Sequence, residues 1–134
     1  MKKGQISTEY IVILGMVIFV LIPIIYFATQ TTTDTTRFNN ADLAVKLIRE
    51  AADRVYALGP GNKETVSITI PSGVNKFEVF NKEISLQLQY HGGKSDFSLI
   101  TNANLTGSLP QTSGTYTISL LVLDNGVVSL SYAS

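Results

Sequence analysis

Between Ile11 and Ala28 the chain reads IVILGMVIFVLIPIIYFA, without a single charge. A helix that is apolar on every side must be surrounded by lipid or by other protein. About 20 apolar residues cross the hydrocarbon of a bilayer as a helix, so a run of roughly 18 just reaches. Lys2 and Lys3 stand before it, and Asp34 and Arg37 are the first charges after it. The bias of positive charge toward the cytoplasm puts the N-terminus inside and the chain beyond Thr29 outside. A secretory signal peptide has a shorter apolar core and a small-residue exit, and Tyr26-Phe27-Ala28-Thr29-Gln30 has no A-x-A pattern. A plain membrane anchor fits the length. A third reading depends on what precedes the run.

That junction is Lys2-Lys3-Gly4-Gln5-Ile6-Ser7-Thr8-Glu9-Tyr10. A glutamate at the mouth of a spanning segment is unfavourable in lipid, by a few kcal/mol where it sits deep. Glu9 can lie among headgroups, yet an anchor has no need of it there. A carboxylate makes better sense if the helix later leaves the lipid for a site that supplies a positive partner.

Lys3-Gly4 followed by Gln5-x-Ser7-x-Glu9-Tyr10 and an apolar run resembles the class III signal peptide of archaeal type IV pilin-like proteins. The resemblance implies that a membrane aspartic peptidase of the prepilin-peptidase kind cuts between Gly4 and Gln5 and leaves the hydrophobic segment on the mature chain. Residues 1–4 are then the signal peptide, and Glu9 becomes the fifth mature residue, where such pilins generally keep a glutamate. It implies too a homopolymeric filament at the cell surface, serving adhesion or attachment, with Gln5 and Glu9 as assembly residues. The resemblance covers about the first 30 residues, and beyond them only the layout of long helix then β-domain is pilin-like. Gly4 has no side chain, so the scissile backbone can enter a peptidase cleft in extended form. Loss of both lysines changes the side-chain charge from 10 − 10 = 0 to 8 − 10 = −2 and creates an α-ammonium on Gln5 unless the glutamine cyclises.

After the run, Thr29 to Thr36 is rich in threonine, a mediocre helix former, and Pro23 removes one backbone bond within the run. The helical pattern returns at 38–58. Phe38, Ala41, Val45, Ile48, Ala52 and Val55 recur at 3-4 spacing, widened by Ala44, Ala51 and Leu58. Asp42–Lys46, Lys46–Glu50, Arg49–Asp53 and Glu50–Arg54 are complementary pairs four apart on the other face. Asn40 can cap this segment and Gly59-Pro60-Gly61 stops it. If the threonine tract is helical too, residues 5–58 form one rod of about 80 Å, too long for one membrane crossing.

From Glu64 the period becomes two, as in a half-buried strand. Strands are expected at Glu64–Ile70, Lys76–Phe80, Glu83–Tyr90, Asp96–Thr101, Tyr116–Leu123 and Val127–Tyr132, with turns at Pro71-Ser72-Gly73, Asn81-Lys82, His91-Gly92-Gly93 and Asp124-Asn125-Gly126. The fold class is therefore α+β: a long hydrophobic helix continuing into an amphipathic one, then a small antiparallel, sandwich-like or curled β-domain at 59–134. The stripe from Ala41 to Leu58 is placed to cover the open face of that sheet.

The chain has no cysteine, which excludes disulfides, thiolate catalysis and cysteine-bound zinc. Its formal charge of zero gives no sign of nucleic-acid binding. The lone histidine, His91, sits beside two glycines in a turn, and the β-domain carboxylates have no metal-loop spacing. Neither a cofactor nor an enzymatic activity is expected. Asn104-Leu105-Thr106 is an N-glycosylation sequon in a segment read as loop, and the threonine tract is a candidate for O-glycosylation. The leading reading is a filament subunit. Its alternatives are a membrane-tethered β-domain that binds a partner without polymerising, and a minor pseudopilin-like subunit.

Overall fold

The computed structural model describes residues 2–90 and 92–133, and of Lys2 and Lys3 the backbone alone. His91, at the expected glycine turn, lies outside the described residues. The fold is α+β. One helix, α1 (Lys2–Leu58), precedes five strands: β1 (Lys63–Ile70), β2 (Val74–Tyr90), β3 (Gly93–Gly107), β4 (Gly114–Val122) and β5 (Val128–Ala133). The chain divides into two units, Met1–Thr35 and Thr36–Ser134. In the first unit the described residues are helical throughout, Pro23 and the threonines included. Asn40 therefore lies inside α1 rather than capping a separate helix.

In the second unit the strands form one mixed sheet, in the order β1-β4-β5-β3-β2. β1 pairs antiparallel with β4 from Lys63↔Leu121 to Ile70↔Gly114. β4 and β5 form the hairpin foreseen at Asp124-Asn125-Gly126. Leu123 N donates to Val127 O at 2.8 Å, Gly126 N to Leu123 O at 2.9 Å, and Val127 N to the Asn125 side chain at 3.1 Å. Gly126 sits at φ 85°, a conformation that favours glycine. β5 enters between β4 and β3 and runs antiparallel to β4, so it meets β3 in parallel, over Leu105↔Val128 to Gly107↔Leu130. This pair departs from the all-antiparallel expectation. It needs the bare backbone of Gly107 (φ 115°), where a Cβ would strike the Leu130 carbonyl.

β2 is not straight. Extended over its whole length it would separate its ends by about 50 Å, yet Gln89 N donates to Gly73 O at 2.7 Å and Asn75 Nδ2 to Gln89 Oε1 at 3.3 Å. The strand doubles back at Asn81, which has φ 53°, a left-handed conformation that asparagine tolerates better than most residues. The limb Glu83–Tyr90 pairs with β3, and the register shifts between Asn81 and Glu83. The limb Val74–Phe80 lies outside it, where the Gln111 amide takes the place of a neighbouring strand. Phe77 N donates to Gln111 Oε1 at 3.0 Å, and Gln111 Nε2 donates to the Phe77 carbonyl.

Residues 38–55 of α1 cover one face of the sheet. Ala41, Ala44, Val45, Ile48, Ala51, Ala52 and Val55 join Ile68, Phe77, Ile84, Leu86, Leu88, Ile118, Leu120 and Val128 in one buried core. Four of the seven fully buried helix positions are alanine, and Phe38 packs edge-on against Tyr90 at 4.8 Å between ring centroids. Leu58, at the end of the stripe, is exposed. Gly59 ends the helix at φ 94°, and Asn62 Nδ2 donates to the Leu58 and Gly59 carbonyls, both at 2.9 Å.

Of the expected charge pairs, Lys46–Asp42 closes at 2.7 Å. Arg54 instead reaches Glu64 on β1 at 2.6 Å, and Asp53 accepts from the Asn102 backbone N–H at 3.0 Å. Sheet partners have displaced the helix-internal ones, because a packed helix meets groups from β1 and β3 that its own sequence cannot reveal. The Glu64 hydrogen bond, with help from the charges of Glu64 and Glu50, raises the Arg54 pKa further above its ordinary value.

A fragment of residues 36–134 is expected to be a soluble monomer that unfolds in one cooperative step. In it Ile48→Ala should cost about 2–5 kcal/mol in chemical denaturation. Removal of residues 41–58 should expose the sheet and cause aggregation. A truncated fragment equally soluble and cooperative would show that the helix does not stabilise the sheet.

Candidate functional site

Helix α1 exists at its N-terminal end because a continuous apolar sequence satisfies its backbone hydrogen bonds internally and asks nothing of its side chains except removal from water. Among the described residues of the first unit nothing provides that removal. Residues from Ile6 to Phe27 are exposed on every side of the helix, from 45% for Leu21 to 79% for Phe19 among the large apolar ones. The helix is long and apolar enough to cross a membrane. A surface of this kind can do one thing chemically: exclude water by packing with lipid or with protein.

Gly4 and Gln5 lie in the first turns of α1. The Gly4 carbonyl, which belongs to the expected scissile bond, accepts a hydrogen bond from Thr8 Oγ1 at 2.9 Å. A Cβ at Gly4 would meet nothing within 4 Å. The fold itself therefore places no demand for glycine at this position. Glu9 is exposed and shares a shallow hollow with Thr8, Val12 and Ile13, so its carboxylate stands at the edge of the apolar surface. Gly4, Gln5 and Glu9 thus fall within two turns of one helix.

Asn104 is placed elsewhere, and differently from its reading as loop. It lies within β3, whose pairing with β5 extends the strand as far as Gly107. Strand alternation buries Ala103 and Leu105 and leaves Asn104 and Thr106 exposed. Both ends of the sequon are accessible.

One feature of the β-domain escaped the sequence reading. Phe80 and Ile100, 73% and 75% exposed, flank a hollow with Asn81, Lys82 and Glu83 where β2 doubles back. Phe80 follows the alternation of its strand, in which Phe77 and Val79 face the core and Glu78 and Phe80 face away from it. Among the described residues no group of three His, Asp or Glu side chains is placed to hold a metal ion. Comparison with family models, with curated proteins and with solved structures finds no match for the chain.

The full chain is expected to partition into detergent or vesicles, whereas residues 36–134 should stay in the aqueous phase. Val17→Lys, near the middle of the run, should weaken insertion by about 3 kcal/mol. Carbonate extraction of membranes measures this, and a lysine variant as firmly inserted as the parent would mean that the run does not span.

Proposed function

We propose that the chain is the structural subunit of an extracellular type IV pilus-like filament, made as a membrane-inserted precursor and matured by removal of residues 1–4. One observation carries this reading. A helix exposed and apolar on all sides follows directly on Lys3-Gly4-Gln5-x-Ser7-x-Glu9-Tyr10. The helix satisfies either lipid or copies of itself, and the junction supplies a means of passing from one to the other. Before cleavage Lys2 and Lys3 hold the N-terminus at the cytoplasmic face. Cleavage by a prepilin-peptidase-like protease removes them and frees the helix to leave the bilayer.

For the Gly4–Gln5 bond to be cut, the first turn of α1 must unwind and the Gly4 carbonyl must leave Thr8. Helix ends fray readily, and a glycine lowers the cost of the extended form. The same carbonyl then becomes the new carboxylate of the released peptide, and Gln5 gains an α-ammonium. Burial of a large apolar side chain contributes about 1.5–3 kcal/mol, so a dozen such residues from each copy outweigh the cost of ordering. Glu9 enters the packed region with them. A buried, unmatched carboxylate costs several kcal/mol, and the α-ammonium of Gln5 on an adjoining copy is the partner that cleavage creates. Processing and assembly are thereby coupled, and the pair fixes the axial register of neighbouring helices. The β-domain, with the Asn104 sequon exposed, faces outward for adhesion or attachment.

Intact mass of native filaments should show a chain beginning at Gln5. Subunits that retain Met1 or Lys2 in assembled filaments would refute the processing step. Glu9→Gln should be cleaved normally yet enter filaments poorly, and parental filament yield from this variant would show that the charge is dispensable. Electron microscopy that finds the mature chain only as dispersed, membrane-held copies would favour a non-polymerising tether. Asn104→Gln should remove a glycan mass from the native protein, and an unchanged mass would leave the sequon unused.

A further inference from the structure

We infer that the surface through which copies of this chain pack does not end with the apolar run but continues over the threonine collar, Thr29–Thr35, which meets neighbouring copies through its methyl groups. The inference rests on the assembly reading above and extends it to a segment whose composition looks polar. The hydroxyls of the collar are already engaged within the helix. Thr29 Oγ1 donates to the Ile25 carbonyl at 2.8 Å, Thr31 to Phe27 at 3.0 Å, Thr32 to Ala28 at 2.9 Å, Thr33 to Thr29 at 3.0 Å and Thr35 to Thr31 at 2.9 Å. Gln30 Nε2 donates to the Tyr26 hydroxyl at 2.7 Å. A threonine that bonds the carbonyl four residues back turns its hydroxyl onto the helix and its methyl outward. The five threonines of the collar therefore offer the outline of valines, with their own hydroxyl donors satisfied when water is excluded.

Length identifies what covers it. No charge lies between Glu9 and Asp34, and about 24 residues at 1.5 Å each rise about 36 Å, against a hydrocarbon thickness of about 30 Å. Lipid that covers the run from Ile11 to Ala28 leaves the collar beyond its apolar layer. At 100° per residue the threonine positions are spread around the helix, as are the exposed residues of the run, so one flat partner cannot cover them. A cluster of parallel helices can, and the chain itself supplies such helices in the number of its copies. A helix bathed in water would gain more from Ala, Glu or Lys than from threonine at these positions, whereas β-branched and small residues suit close helix packing.

The test uses the full chain in two series. Replacing Thr29, Thr31, Thr32, Thr33 and Thr35 together by Val keeps the methyls and removes the hydroxyls, and replacing them by Ser does the reverse. The Val variant should form filaments at parental yield, and the Ser variant should lose at least about tenfold. Loss in Val with retention in Ser would mean that the hydroxyls make the contacts, and equal yields in both would mean that the collar lies outside the interface. Either result overturns the inference. Because the chain has no cysteine, Thr32→Cys gives a single thiol whose readout does not depend on yield. A short bismaleimide should link copies in assembled material and not in detergent-dispersed chains, and no linkage in filaments would overturn the inference. Parental chains that assemble while the collar variants behave otherwise sink only this inference. Parental chains that never assemble sink the filament reading and this inference with it.

Discussion

The cost of leaving an uncharged helix in water governs the rest of this chain. Residues from Ile6 to Phe27 bury nothing within their own unit, and each large side chain left wet forgoes about 1.5–3 kcal/mol. No tuning of the β-domain can recover that. The chain is therefore incomplete by itself, and what it does follows from what covers this helix. Lipid and other helices are both adequate solvents for such a surface. The features that distinguish between them are polar and few: two lysines, a glycine, a glutamine and a glutamate within the first turns.

The same helix is used differently further along. From Phe38 to Val55 one stripe is buried under the sheet while the opposite face carries Lys46, Glu50 and Arg54 into water. Side chains alternate in size to suit the two tasks. Bulky isoleucine, valine and phenylalanine fill the exposed run, whereas four of the seven fully buried positions of the stripe are alanine. The sheet beneath is a single layer whose second face is wet, which explains its alternation of Ile68 and Ile70 with Ser67 and Thr69. Without the stripe it would have an apolar face and no cover.

How much of this was legible in the sequence depends on how local the cause is. Period-three-and-four spacing located the buried stripe residue by residue, because a helix carries its own face pattern, and only Leu58 at its end departs. The Asn125-Gly126 hairpin was equally plain, since glycine chemistry there is local. Reading Lys76–Phe80 and Glu83–Tyr90 as separate runs about Asn81-Lys82 agrees with the fold-back of β2. Placing Asn104 in a loop failed because β3 is prolonged by β5, a partner more than twenty residues away. The parallel pairing of β3 and β5 was hidden for the same reason. Arg54 and Asp53 found sheet partners that helical spacing could not predict. In the first turns the roles of Gly4, Gln5 and Glu9 were read from the resemblance alone, and the fold adds only that a Cβ at Gly4 would meet nothing within 4 Å.

A chain proposed to gather in many copies has to associate through its helices and not through its strands. Sheet edges present unpaired backbone groups, and at high local concentration they join to one another. Here both margins are guarded. The outer limb of β2 has the Phe77 backbone closed by the Gln111 side chain, a one-residue substitute for a strand that cannot be extended by a second copy. Lys76 and Glu78 flank that residue, both exposed, and a second limb laid against them would bring further charge into the joint. On the other margin β1 starts at exposed Lys63, and Arg54 of the helix crosses to Glu64. Such an ion pair adds little stability in water, but a bidentate guanidinium fixes the helix beside that edge and narrows the approach of a new strand. Gln111 matters here less for the energy of two hydrogen bonds than for the pairing it prevents. Under the proposed reading, association falls to the apolar helix, the largest exposed apolar surface among the described residues.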